Sequence, residues 1–151
     1  MQKLLKAILL SCCFLAAGSA GAADKATQEQ AVALVKKAAA YLHANGRDKA
    51  LAEFSNPKGQ FTERDLYVFV NDLSGNTLAH GGNPKLVGKN VMELKDADGK
   101  LFIKEMTELA KAKGKGWVDY KWPNPVTKAI DAKTTYVERV GDVMIGCGIY
   151  K

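Results

Sequence analysis

One short segment of the chain combines aromatic rings with groups that can form hydrogen bonds. Strand-like alternation along residues 67–71 puts Tyr67, Phe69 and Asn71 on one face and two valines on the other. The valine face is typical of core. Two rings, a hydroxyl and an amide suit the wall of a pocket that must both hold an apolar group and hydrogen-bond a polar one. Ordinary core, with the Tyr67 hydroxyl satisfied at its edge, is the equally weighted alternative.

A second segment, 116–122, alternates in the same way and puts Tyr120 and Trp122 on one face. Their hydroxyl and indole N–H could bind a carboxylate while their rings enclose its short alkyl tail. Pro123 follows directly and begins a proline-rich turn, which predicts that this end of the strand lies at a pocket mouth. Plain core is again the alternative.

His80 is a third candidate, at the end of a predicted strand and beside a glycine-rich loop. A lone histidine is more often structural, and that interpretation stays open, but this position also favours contact with a ligand. His43 lies on the first predicted helix. No second histidine or carboxylate has the spacing of a metal site, so we expect no metal.

The sequence lacks the patterns of nucleophilic catalysis. There is no G-x-S-x-G motif, and Cys147 has no histidine near it in the sequence. Asp119 or Glu138 could act as an acid or base, but nothing marks either. The segment 96–99 (Asp-Ala-Asp-Gly) lacks the full spacing of a calcium loop and favours helix capping. We therefore expect a binding protein with no catalytic residues and no cofactor.

The elements that must position these residues begin with two helices. Apolar residues recur from Ala31 to Leu42 at helical spacing, and Thr27 with Gln30 forms a capping box. Asn45-Gly46 predicts the helix end. A short second helix is predicted at 48–54.

Strand patterns then take over. A hairpin at 66–70 and 77–80 is followed by a glycine-rich loop at 81–90 and by a helix near 102–110, with Asp98 as its cap. Three strands follow at 117–122, 135–140 and 143–150. We predict an α/β (α+β) fold with an antiparallel sheet of about five strands. The long first helix covers one face, and the loop and third helix cover the other.

These segments, in this order, resemble a single Cache domain of type 2. The first half of the match is Tyr-Val-Phe-Val-Asn-Asp, Leu-Ala-His and the loop Asn-Pro-Lys-Leu-Val-Gly-Lys-Asn; the second is the stretch from Gly114 to Pro125, then Lys133, Tyr136 and Gly-Cys-Gly-Ile-Tyr. The resemblance implies a PAS-like extracytoplasmic sensor over residues 24–151. It also implies a small ligand, often acetate, propionate, pyruvate or lactate. Only the family position adds Lys133, as the counter-charge of the carboxylate, and Tyr136 to the candidate site.

The N-terminal residues predict export. Lys3 and Lys6 precede an apolar run, and Ala20-Gly21-Ala22 is a cleavage site of the A-x-A type, so residues 1–23 are interpreted as a signal peptide. Lipidation at Cys12 is a less favoured alternative. The formal net charge of +6 comes from scattered lysines, and export argues against nucleic acid as a partner. We expect a periplasmic protein.

The expected partners follow from the resemblance. Sensors of this kind sit between two membrane spans of a chemoreceptor or kinase, whereas this sequence ends at Lys151. The expectation is therefore a sensor that relays ligand binding to a separate membrane receptor or kinase. A homodimer through the first helix is possible. The alternative is an envelope assembly or interaction protein that uses the same fold without a small ligand.

Overall fold

The computed structural model describes residues 25–151. The predicted signal peptide, its cleavage site and Cys12 lie outside the described residues. The chain forms three α-helices and six strands, with one 3-10 turn at Pro84–Leu86. Their bounds are α1 Gln28–Asn45, α2 Arg47–Phe54, β1 Thr62–Glu63, β2 Leu66–Asp72, β3 Thr77–His80, α3 Phe102–Lys113, β4 Lys115–Pro123, β5 Ile130–Val140 and β6 Val143–Tyr150.

The first helix begins and ends as predicted. The Thr27 Oγ1 accepts the Gln30 N–H, and the Gln30 side chain accepts the Thr27 N–H, so two N–H groups that the helix leaves unpaired are satisfied. At the other end Gly46 has a φ of 81°, which a glycine adopts without strain and which separates α1 from α2.

The sheet is antiparallel throughout. Its order is β1-β2-β6-β5-β4, and β3 also pairs with β2. The last three strands form two successive hairpins. The C-terminal strand β6 also pairs with β2 and therefore lies in the middle of the sheet. The prediction of an antiparallel sheet is confirmed, with the two-residue β1 as an addition that the sequence pattern did not predict.

The two faces of the sheet carry separate cores. Ala31, Val35 and Ala38 of α1 pack on one face, together with α2. On the other face, α3 and the loop that precedes it pack against β2, β4, β5 and β6. This division confirms the predicted covering of the sheet.

Two boundaries differ from the prediction. Asp98 does not cap α3: the helix begins at Phe102 after Leu101, with no side-chain cap. The carboxylate that organises the segment 96–99 is that of Asp96, which accepts the Asp98, Lys100 and Lys121 N–H groups and ties this loop to β4. The strand β5 also begins at Ile130, five residues before the predicted start, because it pairs along the whole of β4.

Within residues 25–151, no helix has the length and apolar character that crossing a bilayer requires.

Candidate functional site

A small pocket lies between the sheet and the layer formed by α3 and the loop before it. About 20 Å³ of it is open to the centre of a water-sized sphere, which is slightly more than one water molecule needs. Its walls combine aromatic and aliphatic side chains with a few polar ones: Tyr67, Phe69, Asn71, Thr77, His80, Leu86, Val91, Leu94, Phe102, Ile103, Tyr120 and Trp122.

The alternation predicted for β2 is observed. Tyr67, Phe69 and Asn71 face the pocket, while the intervening valines join the core under α1. The outer end of the Phe69 ring lies close to the backbone of β6, where a Cβ on Gly146 would stand 2.3 Å from Phe69 Cζ. The glycine is therefore what allows this ring to form the pocket floor.

Lys133 lies behind Tyr67 and is only 1% exposed. Its Nζ donates to Tyr67 Oη at 2.6 Å and to Tyr150 Oη at 3.3 Å, and it lies 4.0 Å from the centre of the Tyr67 ring. No carboxylate of the described chain lies within 4 Å of this nitrogen. Burial lowers the pKa of Lys133 to about 7.

Space for Lys133 comes from the neighbouring strand. A Cβ on Gly148 would stand 2.1 Å from Thr135 Oγ1 and 2.6 Å from Lys133 Cε. The second glycine of the Gly-Cys-Gly segment thus makes room for the lysine as the first does for Phe69. Cys147, between them, points to the α1 side, and its thiol is fully buried with a pKa raised to about 12 by burial.

His80 is the second polar group at this end of the pocket. Its Nδ1 accepts the Asn83 N–H at 2.9 Å. Burial and, as a smaller cause, the charge of Lys133 together lower its pKa to about 3. His80 is therefore neutral at physiological pH, and the hydrogen-bond pattern assigns its proton to Nε2.

The Tyr67 hydroxyl can also donate a hydrogen bond to a ligand. Lys133 donates to the Tyr67 oxygen, and Tyr150 donates its own hydrogen to the Pro123 carbonyl at 2.8 Å. In the 3.3 Å contact between the two hydroxyls, Tyr67 is therefore the donor. A long contact of this kind can be exchanged for a ligand oxygen. One end of the pocket thus presents two neutral donors, Tyr67 and His80, with a buried cation directly behind.

Asn71 marks the opposite end. It lies four residues along β2 from Tyr67, roughly 13 Å away in an extended strand. It is 1% exposed, and neither its Oδ1 nor its Nδ2 has a hydrogen-bond partner in the described chain. A buried amide in this state calls for a water molecule or a ligand atom.

The aromatic wall is formed by β4 against α3. The Tyr120 ring stacks on Phe102 with centres 4.4 Å apart and planes within 5°, and Trp122 packs against Phe102 at 5.3 Å. The Tyr120 hydroxyl was predicted as a possible ligand donor. It is hydrogen-bonded to Thr135 Oγ1 at 3.0 Å, so its ring is the part that shapes the pocket.

The structure brings five of the predicted residues to the pocket and places Lys133 directly behind it. Tyr136 is on the wrong face for this site. It packs against Trp117 in the α1 core and donates to Glu138 at 2.7 Å. The reason is strand periodicity: Lys133 and Tyr136 are three residues apart on β5, so their side chains point to opposite faces.

Tyr150 and Phe102 are among the contributors that sequence reasoning missed. Tyr150 shares the face of Gly146 and Gly148, so alternation along β6 could have found it. Phe102 lies in the predicted third helix, and no pattern in the sequence distinguishes a ring that closes a pocket from one that fills a core.

A larger cleft lies outside this site, near Tyr150. About 520 Å³ of it is open to the centre of a water-sized sphere, and it is lined by Asp65 and Asp131 as well as by Lys25, Arg64 and Lys151. Its basic side chains are exposed, so water and salt screen their charges more strongly than the charge of the buried Lys133. No group of three or more potential metal ligands is clustered anywhere in residues 25–151.

Curated proteins similar to this chain are signalling proteins. The chain is 34% identical over 90 residues to the methyl-accepting chemotaxis protein McpP of Pseudomonas putida and 36% identical over 89 residues to the sensor histidine kinase MctS of Rhizobium johnstonii. Each match covers 58% of this chain but only 16% and 19% of those proteins. The similarity therefore concerns one domain of much longer chains.

Two solved structures of chemotaxis or chemosensory proteins share this fold. One, described as the structural basis for carboxylic acid recognition by a Cache chemosensory domain, has a TM-score of 0.68 and 30% identity, covering 81% of this chain and 91% of that one. A methyl-accepting chemotaxis protein from Vibrio parahaemolyticus has a TM-score of 0.70 over 81% of this chain and 86% of its own, and at 24% identity it supports the fold alone.

The model of one family matches the whole of the described chain. That family is single Cache domain 2, and the match covers residues 21–151. Domains of this kind are extracytoplasmic, non-catalytic sensor modules of chemoreceptors and kinases. The PAS-like fold, the pocket between sheet and α3, and this match lead to the same conclusion: the chain belongs to the single Cache domain 2 family.

Proposed function

We propose that this chain is a periplasmic sensor module that binds a short carboxylate between Tyr67 and His80, with Lys133 as the counter-charge. The observation that carries the proposal is the state of Lys133. Its nitrogen is buried among hydroxyl groups and has no carboxylate partner in the described chain. Buried charges in native proteins are paired, and removing one partner of such a pair is strongly destabilising. A ligand carboxylate would supply the missing charge.

The neighbouring groups support the same ligand class. At the pocket, the Tyr67 hydroxyl and the His80 Nε2–H can act as hydrogen-bond donors but not as acceptors. This matches a carboxylate, because an ionised carboxylate only accepts hydrogen bonds. The rest of the wall near them is formed by rings such as Phe69, Tyr120 and Trp122, which suit a short alkyl chain.

The size of the pocket limits the ligand. Room for little more than a water molecule favours the smallest of the short carboxylic acids. A three-carbon acid requires the loop before α3 to move outward, since Leu86, Val91 and Leu94 form that wall. This loop is fastened to β3 at Thr77, whose N–H and carbonyl bond Lys89 and Gly88 at 2.9 and 2.8 Å.

Other parts of the proposal rest on the sequence and on relatives. Residues 1–23 are proposed as the export signal that delivers the domain to the periplasm. Ligand binding is proposed to be passed to a membrane receptor or kinase, because the matched domains belong to a chemotaxis protein and a sensor kinase. The homodimer through α1 stays a prediction. The buried stripe of that helix is used on the sheet, so a dimer would use its other residues.

A thermal-shift screen with acetate, propionate, pyruvate and lactate tests the proposal. An acid at about 100 times its dissociation constant stabilises the folded state by about 2.7 kcal/mol, or roughly 10 °C in a domain of this size. We expect Tyr67→Phe to weaken binding about 10-fold or more, since it removes a hydrogen bond to a charged group. Tyr136→Phe is the matched control: it removes a hydroxyl from the opposite face and should leave the affinity unchanged.

Two results would contradict the proposal. One is that no short acid shifts the melting temperature at pH 6, where Lys133 is charged. The other is that both tyrosine variants change the affinity equally. The first result would favour an assembly or interaction protein that uses the fold without a ligand.

A further inference from the structure

Resting on the proposed function, we infer that the empty domain holds Lys133 largely as a neutral amine at slightly alkaline pH, and that anion binding draws one proton onto it. The proton comes from the solvent and converts the amine to an ammonium group as the carboxylate arrives. Ligand affinity would then fall as pH rises above neutrality. The fraction of sites occupied would therefore depend on pH as well as on ligand concentration.

The geometry supports this coupling because nothing in the described chain fixes the charge of Lys133. Its nitrogen contacts two tyrosine oxygens and the face of each ring, at 4.0 and 4.5 Å from the ring centres. These groups accept a hydrogen bond from a neutral amine as well as from an ammonium group. The ring faces favour the ammonium form, but without a carboxylate within 4 Å this attraction offsets only part of the desolvation cost of the charged form until an anion enters.

The surroundings of Lys133 also identify it as the group that titrates. On its face of the sheet, α3 offers Phe102, Ile103 and Met106, none of which titrates. The titratable groups that face it from the strands and from the turn before β2 are Tyr67, Tyr120, Tyr150, His80 and Asp65, and the Cys147 thiol influences it from the opposite face of the sheet. Burial raises the pKa of the Cys147 thiol and of Tyr150 to about 12 and raises the pKa of Tyr67 and Tyr120 well above the usual value of a tyrosine, while burial and the charge of Lys133 lower the pKa of His80 to about 3.

The carboxylate of Asp65 lies more than 4 Å from the amine and favours its charged form from a distance. It is opposed by the larger effect of burial, which leaves the pKa of Lys133 at about 7. Between pH 6 and pH 9, Lys133 is therefore the group at this end of the pocket whose charge changes.

The expected size of the coupling follows from linkage. With a pKa of about 7 in the empty domain and well above 8 in the complex, binding takes up about 0.9 proton per ligand at pH 8 and about 0.1 at pH 6. The dissociation constant rises about 10-fold over the same interval. The affinity falls with rising pH because Lys133 is a base. The anion binds the protonated form of Lys133, and the fraction of the empty domain in that form decreases as pH rises.

Isothermal titration calorimetry tests the inference. Acetate, propionate, pyruvate and lactate are each titrated into the protein at pH 8 in HEPES and in Tris, whose heats of protonation differ, and the affinity is measured again at pH 6. We expect the heat to depend on the buffer, with about 0.9 proton taken up, and the affinity to be about 10-fold higher at pH 6. His80→Gln should retain the uptake if the proton goes to Lys133, while Lys133→Met should weaken binding and show no uptake in the binding that remains.

The outcomes separate this inference from the proposed function. Binding at pH 8 with the same heat in both buffers would overturn the inference and leave the proposed function standing. Uptake that is lost in His80→Gln and retained in Lys133→Met would also overturn it, because the proton would then go to the histidine. Absence of binding at pH 6 for all four acids would refute the proposed function itself.

Discussion

Replacing Lys133 by methionine should stabilise the ligand-free domain, although it removes two hydrogen bonds. Burial lowers the pKa of this lysine from 10.5 to about 7, and each unit of such a shift corresponds to about 1.4 kcal/mol. Burying the charged form therefore costs about 5 kcal/mol. Methionine fills a similar volume without that cost, and Tyr67 keeps Tyr150 as a hydrogen-bond partner. Replacing buried ion pairs by apolar residues of similar volume is neutral or stabilises proteins by roughly 1–4 kcal/mol, and we expect a gain in this range at pH 7.

The pH dependence of this gain is the sharper test. Because the folded state binds the lysine proton less tightly than the unfolded state, the wild-type protein gains stability as pH rises from the folded pKa of about 7 toward the unfolded value of 10.5. The variant lacks this gain. Its advantage should therefore narrow by about 2 kcal/mol between pH 7 and pH 9.

The assay is urea unfolding of both proteins at pH 7, 8 and 9, followed by circular dichroism. The difference in unfolding free energy between the two proteins cancels the contributions of the titratable groups that they share. The pKa of His80 lies below this pH interval in the folded and in the unfolded state. A difference in unfolding free energy that does not change with pH would refute the assignment of a lowered pKa to Lys133. A variant less stable than wild type at pH 7 would refute the claim that the buried charge is uncompensated.

Two further substitutions and one labelling experiment test other features of the structure. Gly148→Ala should lower the unfolding free energy by roughly 1–3 kcal/mol and abolish carboxylate binding, because its Cβ would stand 2.6 Å from Lys133 Cε; urea unfolding and calorimetry measure both effects. Thr27→Ala removes the capping box with Gln30 and should cost about 1 kcal/mol in the same unfolding assay, with ligand affinity unchanged. Cys147 should resist iodoacetamide in the native protein at pH 8 and react once urea unfolds it, because its thiol is buried and its pKa is raised to about 12; peptide mapping by mass spectrometry detects the difference.

Much of the architecture was predictable because it depends on local rules. The capping box at Thr27, the glycine at position 46 and the hairpins between the last strands follow from backbone chemistry and from two-residue periodicity. The same periodicity correctly separated Tyr67 and Phe69 from the valines between them. Applied to β5, it would also have shown that Lys133 and Tyr136 cannot share a face. That error came from taking the site from a family resemblance instead of from the strand pattern.

The start of α3 was less predictable because it depends on a long-range contact. Asp98 has the composition of a helix cap, but the neighbouring Asp96 holds this loop against β4 through the Lys121 N–H, and the helix begins three residues later. Competition between a local cap and a contact with a distant strand is decided by the tertiary structure.

The sequence by itself determined the order of the elements, the two faces of the sheet, the family and the types of side chain available to a pocket. Tertiary structure decided which of them meet. A lysine among many in the sequence is unremarkable, and only the packing of β2, β5 and β6 puts Lys133 beneath Tyr67 and Tyr150 with no carboxylate within 4 Å in the described chain. The physical reason is that burial and electrostatic compensation are properties of a three-dimensional environment, which spacing along the chain does not encode.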